Sequence, residues 1–260
     1  MPVSETLIRG RVLLIAAHPD DETIGCGGLL QRLRDPLIVH VTDGAPRNAA
    51  DARVAGFERA EDYAEARHTE LSNALEIAGI RMDQTQSLNI ADQEASLDMS
   101  ALAQRIGRMV REVRPGAILT HAYEGGHPDH DATAFAVHAA CALIPVAPDI
   151  YEFAGYHARD GAMKVGRFLI DGEPGETVQL TNEERERKRR MVECFATQAE
   201  MLRHFPVDAE RFRAAPVYDF THAPHPGQLF YEKFQWGMTG QRWRRLATEA
   251  LLDLGVVASA

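Results

Sequence analysis

Two short runs in this chain hold residues able to do chemistry together: His18-Pro19-Asp20-Asp21-Glu22 and His127-Pro128-Asp129-His130-Asp131. In the first, His18 and Asp21 stand three apart on a turn stiffened by Pro19, so an imidazole and a carboxylate can meet at one point. Such a pair suits Zn²⁺. Asp20 lies between them and is free for another task. The second run offers His127 and His130, again three apart. Catalytic zinc sites use three protein ligands and keep a fourth position for water. His18, Asp21 and one histidine of the second run would supply the three. Water held there has a pKa of about 7 and can attack an amide. A carboxylate beside it can take its proton, and a protonated histidine can help stabilise the oxyanion that forms. The same donor types also accept ferrous iron. Simpler roles compete for some of these acids: Asp21 and Glu22 at a helix N-terminus, and Asp129 and Asp131 as helix caps.

The elements around the two runs place them alike. An apolar strand, Arg11 to Ala17, precedes the first run, and a helix from Thr23 to Arg34 follows it. A second strand, Ala117 to His121, precedes the second run, and a helix from Ala132 to Leu143 follows. Between them the patterning predicts a strand over Pro36–Thr42, a helix over Tyr63–Ala78, a short strand over Thr85–Ile90 and a helix over Leu97–Val113. Strands alternating with helices argue for a parallel sheet. Ligands bind at the carboxyl edge of such sheets, where both runs fall. The expected fold is therefore α/β and Rossmann-like: a mostly parallel sheet flanked by helices, with an irregular aromatic C-terminal extension. Further on, strands are expected over Asp149–Tyr156 and Met163–Ile170. A capping box at Thr181-Asn182-Glu183-Glu184 opens a helix to about His204, whose Glu183–Arg190 run reads as a solvated face. A closing helix is expected over 241–254. His40 and His138 read as structural histidines. Gly25, Gly27 and Gly28 lack a dinucleotide fingerprint and read as close helix packing.

The 260 residues suffice for a single domain, with a metal-binding core over 1–145 and a substrate-shaping part over 146–260. A net charge of −10 disfavours nucleic acid as a partner. No apolar run has the length of a transmembrane segment, and no export signal opens the chain, so a cytoplasmic location is expected. Cys26, Cys141 and Cys194 have no metal-site or disulfide spacing. A homo-oligomer stays open.

With His18-Pro19-Asp20-Asp21-Glu22 and the distal His127-Pro128-Asp129-His130 in this order and strand context, the first half of the chain resembles the PIG-L/LmbE-like family of zinc-dependent N-acetylglucosamine deacetylases. The resemblance implies His18, Asp21 and His130 as zinc ligands, with Fe²⁺ an alternative ion, and Asp20 as general base. It also implies His127 as the partner on the oxyanion side, oriented by Asp129. Arg67 matches a sugar-contacting arginine of the family, and Asp92 an acid that holds sugar hydroxyls. The implied substrate is a small-molecule N-acyl sugar or sugar conjugate. A carboxylate at Asp129 is further expected to raise the pKa of His127 and keep it protonated. Two alternatives remain: a non-haem Fe(II) oxygenase with a two-His-one-carboxylate site, and an inactive, sugar-binding homologue. The aromatic stretch His222 to Trp236 is expected to line or cover the substrate cleft.

Overall fold

The computed structural model describes residues 1–169 and 175–256. Its helices are α1 (Val3–Arg9), α2 (Asp21–Leu30), α3 (Ala50–Val54), α4 (Ala60–Ile77), α5 (Met99–Val113), α6 (Pro128–Ala142), α7 (Asn182–Glu193), α8 (Ala199–Leu202) and α9 (Gly240–Leu254). Its strands are β1 (Val12–Ala16), β2 (Leu37–Thr42), β3 (Thr85–Ile90), β4 (Ala117–His121), β5 (Asp149–Phe153), β6 (Tyr156–Arg159), β7 (Ala162–Val165), β8 (Glu176–Gln179) and β9 (Ala209–Ala214).

Side chains alternate between the two faces of a strand. Leu13 and Ile15 of β1 therefore enter one core, with α5, α6 and α9. Val12, Leu14 and Ala16 enter the other, with α2, α4 and α7. Both faces being covered, every residue of β1 and β4 is buried, which is why these strands read as unbroken apolar runs. The sheet order is β3-β2-β1-β4-β5-β9-β8. The first five strands in this order are parallel, β9 pairs antiparallel with β5, and β8 pairs antiparallel with β9. The chain builds outward from β1 in one direction and from β4 in the other. The reversal point lies between β1 and β4, and their carboxyl ends open a crevice there.

The sequence reading departs from the structure mainly after residue 145. The strand expected over Asp149–Tyr156 splits at Ala154-Gly155, and its end forms the hairpin β6–β7. Ile170 lies outside the described residues. The helix expected to reach His204 ends at Glu193 and resumes briefly as α8. Strand β9 was hidden because its buried positions include charges: Glu210 and Arg213 are paired in the interior. At the other end of the chain, α1 docks by Ser4, whose N–H and hydroxyl donate to Glu176.

The run Glu183–Arg190 is not wholly a solvated face. Lys188 is 1% exposed. Its Nζ donates to Ile24 O and Glu210 Oε1, both at 2.8 Å. Helix α2 explains why. Its backbone leaves helical geometry at Cys26, so the amides of Gly28 and Leu29 start a second helical stretch. They donate to Glu210 at 2.7 and 3.0 Å, a carboxylate at a helix start. Close approach makes glycine necessary nearby: a Cβ at Gly25 would lie 2.3 Å from the Phe153 ring, and one at Gly28 2.5 Å from Leu180. Lys188→Met should therefore leave Glu210 buried without a cation and cost about 3–5 kcal/mol. Urea denaturation measures this, and the double variant Lys188→Met/Glu210→Gln should recover part of the loss. A loss within 0.5 kcal/mol would mean that the pair is not what anchors α7 to α2.

Candidate active site

At the β1–β4 crevice the two runs meet. His18 leaves the end of β1, and His130 lies in the first turn of α6. Their Nδ1 and Nε2 atoms are 3.2 Å apart. Asp21, which opens α2, puts Oδ2 3.2 Å from His18 Nδ1 and Oδ1 3.1 Å from His130 Nε2. Ligands about 2.0–2.1 Å from a tetrahedral zinc lie about 3.3 Å from one another. The two nitrogens and the carboxylate therefore fit one small divalent cation.

Other groupings of potential ligands overlap this set, but their remaining atoms are engaged. His121 Nε2 accepts the Ala17 N–H at 2.9 Å. His127 Nδ1 accepts the Asp129 N–H at 3.2 Å. That bond makes His127 the N-cap of α6, so neither Asp129 nor Asp131 caps the helix with its side chain. Asp131 instead accepts the Glu124 and Gly125 amides. Burial pushes its pKa up to about 8.

The carboxylate of Asp129 has a different partner from the one expected. It accepts the N–H groups of Gln93 and Ala95 at 2.6 and 3.1 Å, which pulls the loop after β3 onto the site. It lies 3.3 Å from His18 Nε2 but 4.0 Å from His127 Nδ1. Asp92, carried by that loop, is 3.0 Å from His18 Nε2. His18 thus turns Nδ1 to the cluster while its other nitrogen faces two carboxylates, as metal-binding histidines commonly do. The expected rise in the His127 pKa is absent. Burial and the neighbouring His18 hold it well below the usual histidine range. With Nδ1 accepting, the neutral ring carries its proton on Nε2 and can donate from there.

Asp20 has φ 131°, a left-handed-side conformation that costs a non-glycine residue about 1–3 kcal/mol and is common at functional sites. Four hydrogen bonds hold it. Glu22 accepts its N–H at 3.1 Å, and the Thr23 and Ile24 amides donate to its carbonyl. Arg67 donates to Oδ2 at 2.9 Å. Burial raises the Asp20 pKa, with Arg67 opposing. Arg67 itself is 3% exposed. It also donates to Pro19 O and Gly44 O, so its first role here is to fix the turn and Asp20. His40, a structural histidine as expected, is 3.0 Å from Glu22.

Sequence reasoning gave no role to His121 or Tyr156, and gave Glu22 only a place at a helix N-terminus. Glu22 is fully buried and holds the Asp20 amide. His121 stacks on His130 with ring centroids 4.1 Å apart, and burial together with His130 lowers its pKa to about 4. The Tyr156 ring meets the His130 ring edge to face at 5.3 Å. The end-of-strand position of His121 was a usable signal. Nothing local marked Tyr156.

A cavity of about 1200 Å³ opens over the cluster and is lined by His18, Asp20, Asp21, Arg67, Asp92, His127 and His130 among others. From the aromatic C-terminal stretch, Phe230, Phe234 and Trp236 line it, with Trp236 on the His127 ring at 4.8 Å. His222 and His225 do not: His222 is exposed and bonded to Asp219, and His225 Nδ1 pairs with Pro226 O. No helix of the described residues is long and apolar enough to cross a membrane.

The family model described as PIG-L, GlcNAc-PI de-N-acetylase, matches residues 13–141, from β1 to the last turn of α6. A 2'-N-acetylparomamine deacetylase of Streptomyces fradiae is 31% identical over 181 residues, covering 64% of each chain. An uncharacterized deacetylase, YaiS, of Escherichia coli K12 is 32% identical over 142 residues, 53% of this chain and 71% of that protein. The chain spans less than two thirds of the length of the first curated relatives it matches. Among solved structures, a triple mutant of a deacetylase from the teicoplanin biosynthetic pathway superposes with a TM-score of 0.60. It is 20% identical, with 78% of this chain and 96% of that one covered, a likeness of fold.

Proposed function

The chain belongs to the PIG-L family, and from that premise we propose that it is a metal-dependent hydrolase removing an N-acetyl group from an amino sugar or amino-sugar conjugate. The observation that carries this reading is the mutual approach, within 3.2 Å, of His18 Nδ1, His130 Nε2 and the Asp21 carboxylate, with a second carboxylate, Asp20, beside them in the same cavity. Family relatives named as deacetylases support it, and none of these names supports an oxygenase.

In this reading His18, Asp21 and His130 hold the ion, Zn²⁺ first and Fe²⁺ as alternative. When bound, a divalent cation there acidifies water and polarises an amide carbonyl. Asp20 takes the water's proton and returns it to the departing amine. Arg67 and Glu22 keep Asp20 in place for both steps. His127 Nε2–H donates to the oxygen that gains charge as the carbonyl carbon becomes tetrahedral. Asp92 and Asp129 orient His18.

The test is acetate release from N-acetylglucosamine and its glycosides by protein stripped with a chelator and then reloaded with Zn²⁺ or Fe²⁺. Release is expected only after reloading. A protein with a full complement of metal that frees no acetate from any amino-sugar amide would overturn the proposal.

A further inference from the structure

Pockets for drug-sized ligands run about 300–1,000 Å³. This cavity, at about 1200 Å³, is far larger than one acetylated sugar ring requires. Its lining changes character away from the cluster. Trp236 touches His127, Phe234 stacks on Trp236 at 4.5 Å, and Phe230 follows at 5.4 Å. Phe57, Met163 and Met201 stand half-buried along the same lining. Phe234 is 42% exposed and Val54 90%. Apolar side chains left open along a cavity's lining are surface ready to be covered by a ligand.

The charge of the lining adds a second constraint. Asp51, Glu70 and Glu200 join the acids of the cluster, while among the described residues Arg67 is the one lysine or arginine in the lining. Both of its terminal nitrogens are already committed, to Asp20 and two carbonyls. A phosphate or carboxylate on the substrate would find acids and no free arginine or lysine.

We propose that the substrate is an amino sugar bearing an extended, uncharged apolar group, carried as an aglycone or as a longer N-acyl chain. That group lies against Val54, Phe57, Met201 and Phe234. The inference rests on the deacetylase reading and specifies its substrate class. Each buried methylene is worth about fourfold in affinity, so partial burial of an octyl chain should raise kcat/KM at least about tenfold.

The Zn²⁺-loaded full chain would be assayed against methyl and octyl N-acetylglucosaminides, N-octanoylglucosamine and N-acetylglucosamine 1-phosphate. An octyl or octanoyl compound is expected to exceed the methyl glycoside at least about tenfold, mainly through KM, and the better of the two identifies the end that carries the chain. The phosphate is expected to be the poorest substrate. Val54→Asp and Phe234→Ala should each reduce the octyl-to-methyl ratio. Equal kcat/KM for methyl, octyl and octanoyl compounds, or preference for the phosphate, overturns the inference and leaves the deacetylase reading standing. A second readout does not need turnover: calorimetric binding of octyl and methyl glucosaminide to the metal-free protein. Tighter octyl binding without acetate release would support the apolar site and count against the deacetylase reading. Equal binding overturns the inference.

Discussion

His130→Ala should yield a protein that folds, holds no catalytic metal and hydrolyses no N-acetyl amino sugar. Removing His130 Nε2 takes one corner from the cluster in which it sits 3.2 Å from His18 Nδ1 and 3.1 Å from Asp21 Oδ1. Two protein ligands are fewer than the three on which catalytic sites of this kind rely. On the proposed mechanism the loss would remove both the source of an activated water and the Lewis acid. The rate should therefore fall by more than the about 10²–10⁴ that loss of a general base costs. The fold survives because the sheet's two cores are built from other residues. The ring contacts that go are those with His18, His121, His127 and Tyr156. Metal content by elemental analysis, thermal unfolding and acetate release together decide the matter. Retained metal with normal turnover would remove His130 from the ligand set.

Asp20→Asn should keep the metal and lose about 10²–10⁴ in kcat, the usual size of a general-base contribution. Asparagine preserves the size of the side chain and an oxygen for Arg67 to bond, but it cannot take a proton. The donors of the proposed metal site lie on His18, Asp21 and His130, so occupancy should not change. KM should change little, because the interaction lost is one made as the proton moves. The turn should stay in place, since the Glu22 contact and the amides of Thr23 and Ile24 act on the Asp20 backbone. A variant with near-normal kcat would assign the proton transfer to another group. A variant that loses metal would show that Asp20 supports the site rather than the reaction.

Much of the fold was legible because the relevant signals are local. β1, β2 and β4 are apolar runs covered on both faces, and β1 and β4 are each followed by a turn and a helix within a few residues. The strands of the second half were not legible for the opposite reason. In β9 the residues facing inward are Glu210 and Arg213 as well as Phe212. Only partners far along the chain, Lys188 and Glu152, make those charges tolerable there. The same holds for Lys188, whose neighbours in sequence are all polar and whose burial depends on α2 and β9.

The candidate site divides along the same line. The sequence by itself determined which donors share a turn: His18 with Asp21, and His127 with His130, since three residues on a tight turn leave little freedom in where side chains point. It also set both pairs at carboxyl ends of strands. Only the tertiary structure decided that β1 and β4 are neighbours with helices diverging from them, which brings residues more than a hundred positions apart to within 3.2 Å. It decided as well that Asp129 faces His18 rather than His127, because the loop after β3 offers two backbone N–H groups that take up its carboxylate. A buried carboxylate goes to whichever donors packing leaves unpaired, and no spacing within a single run reveals which those will be.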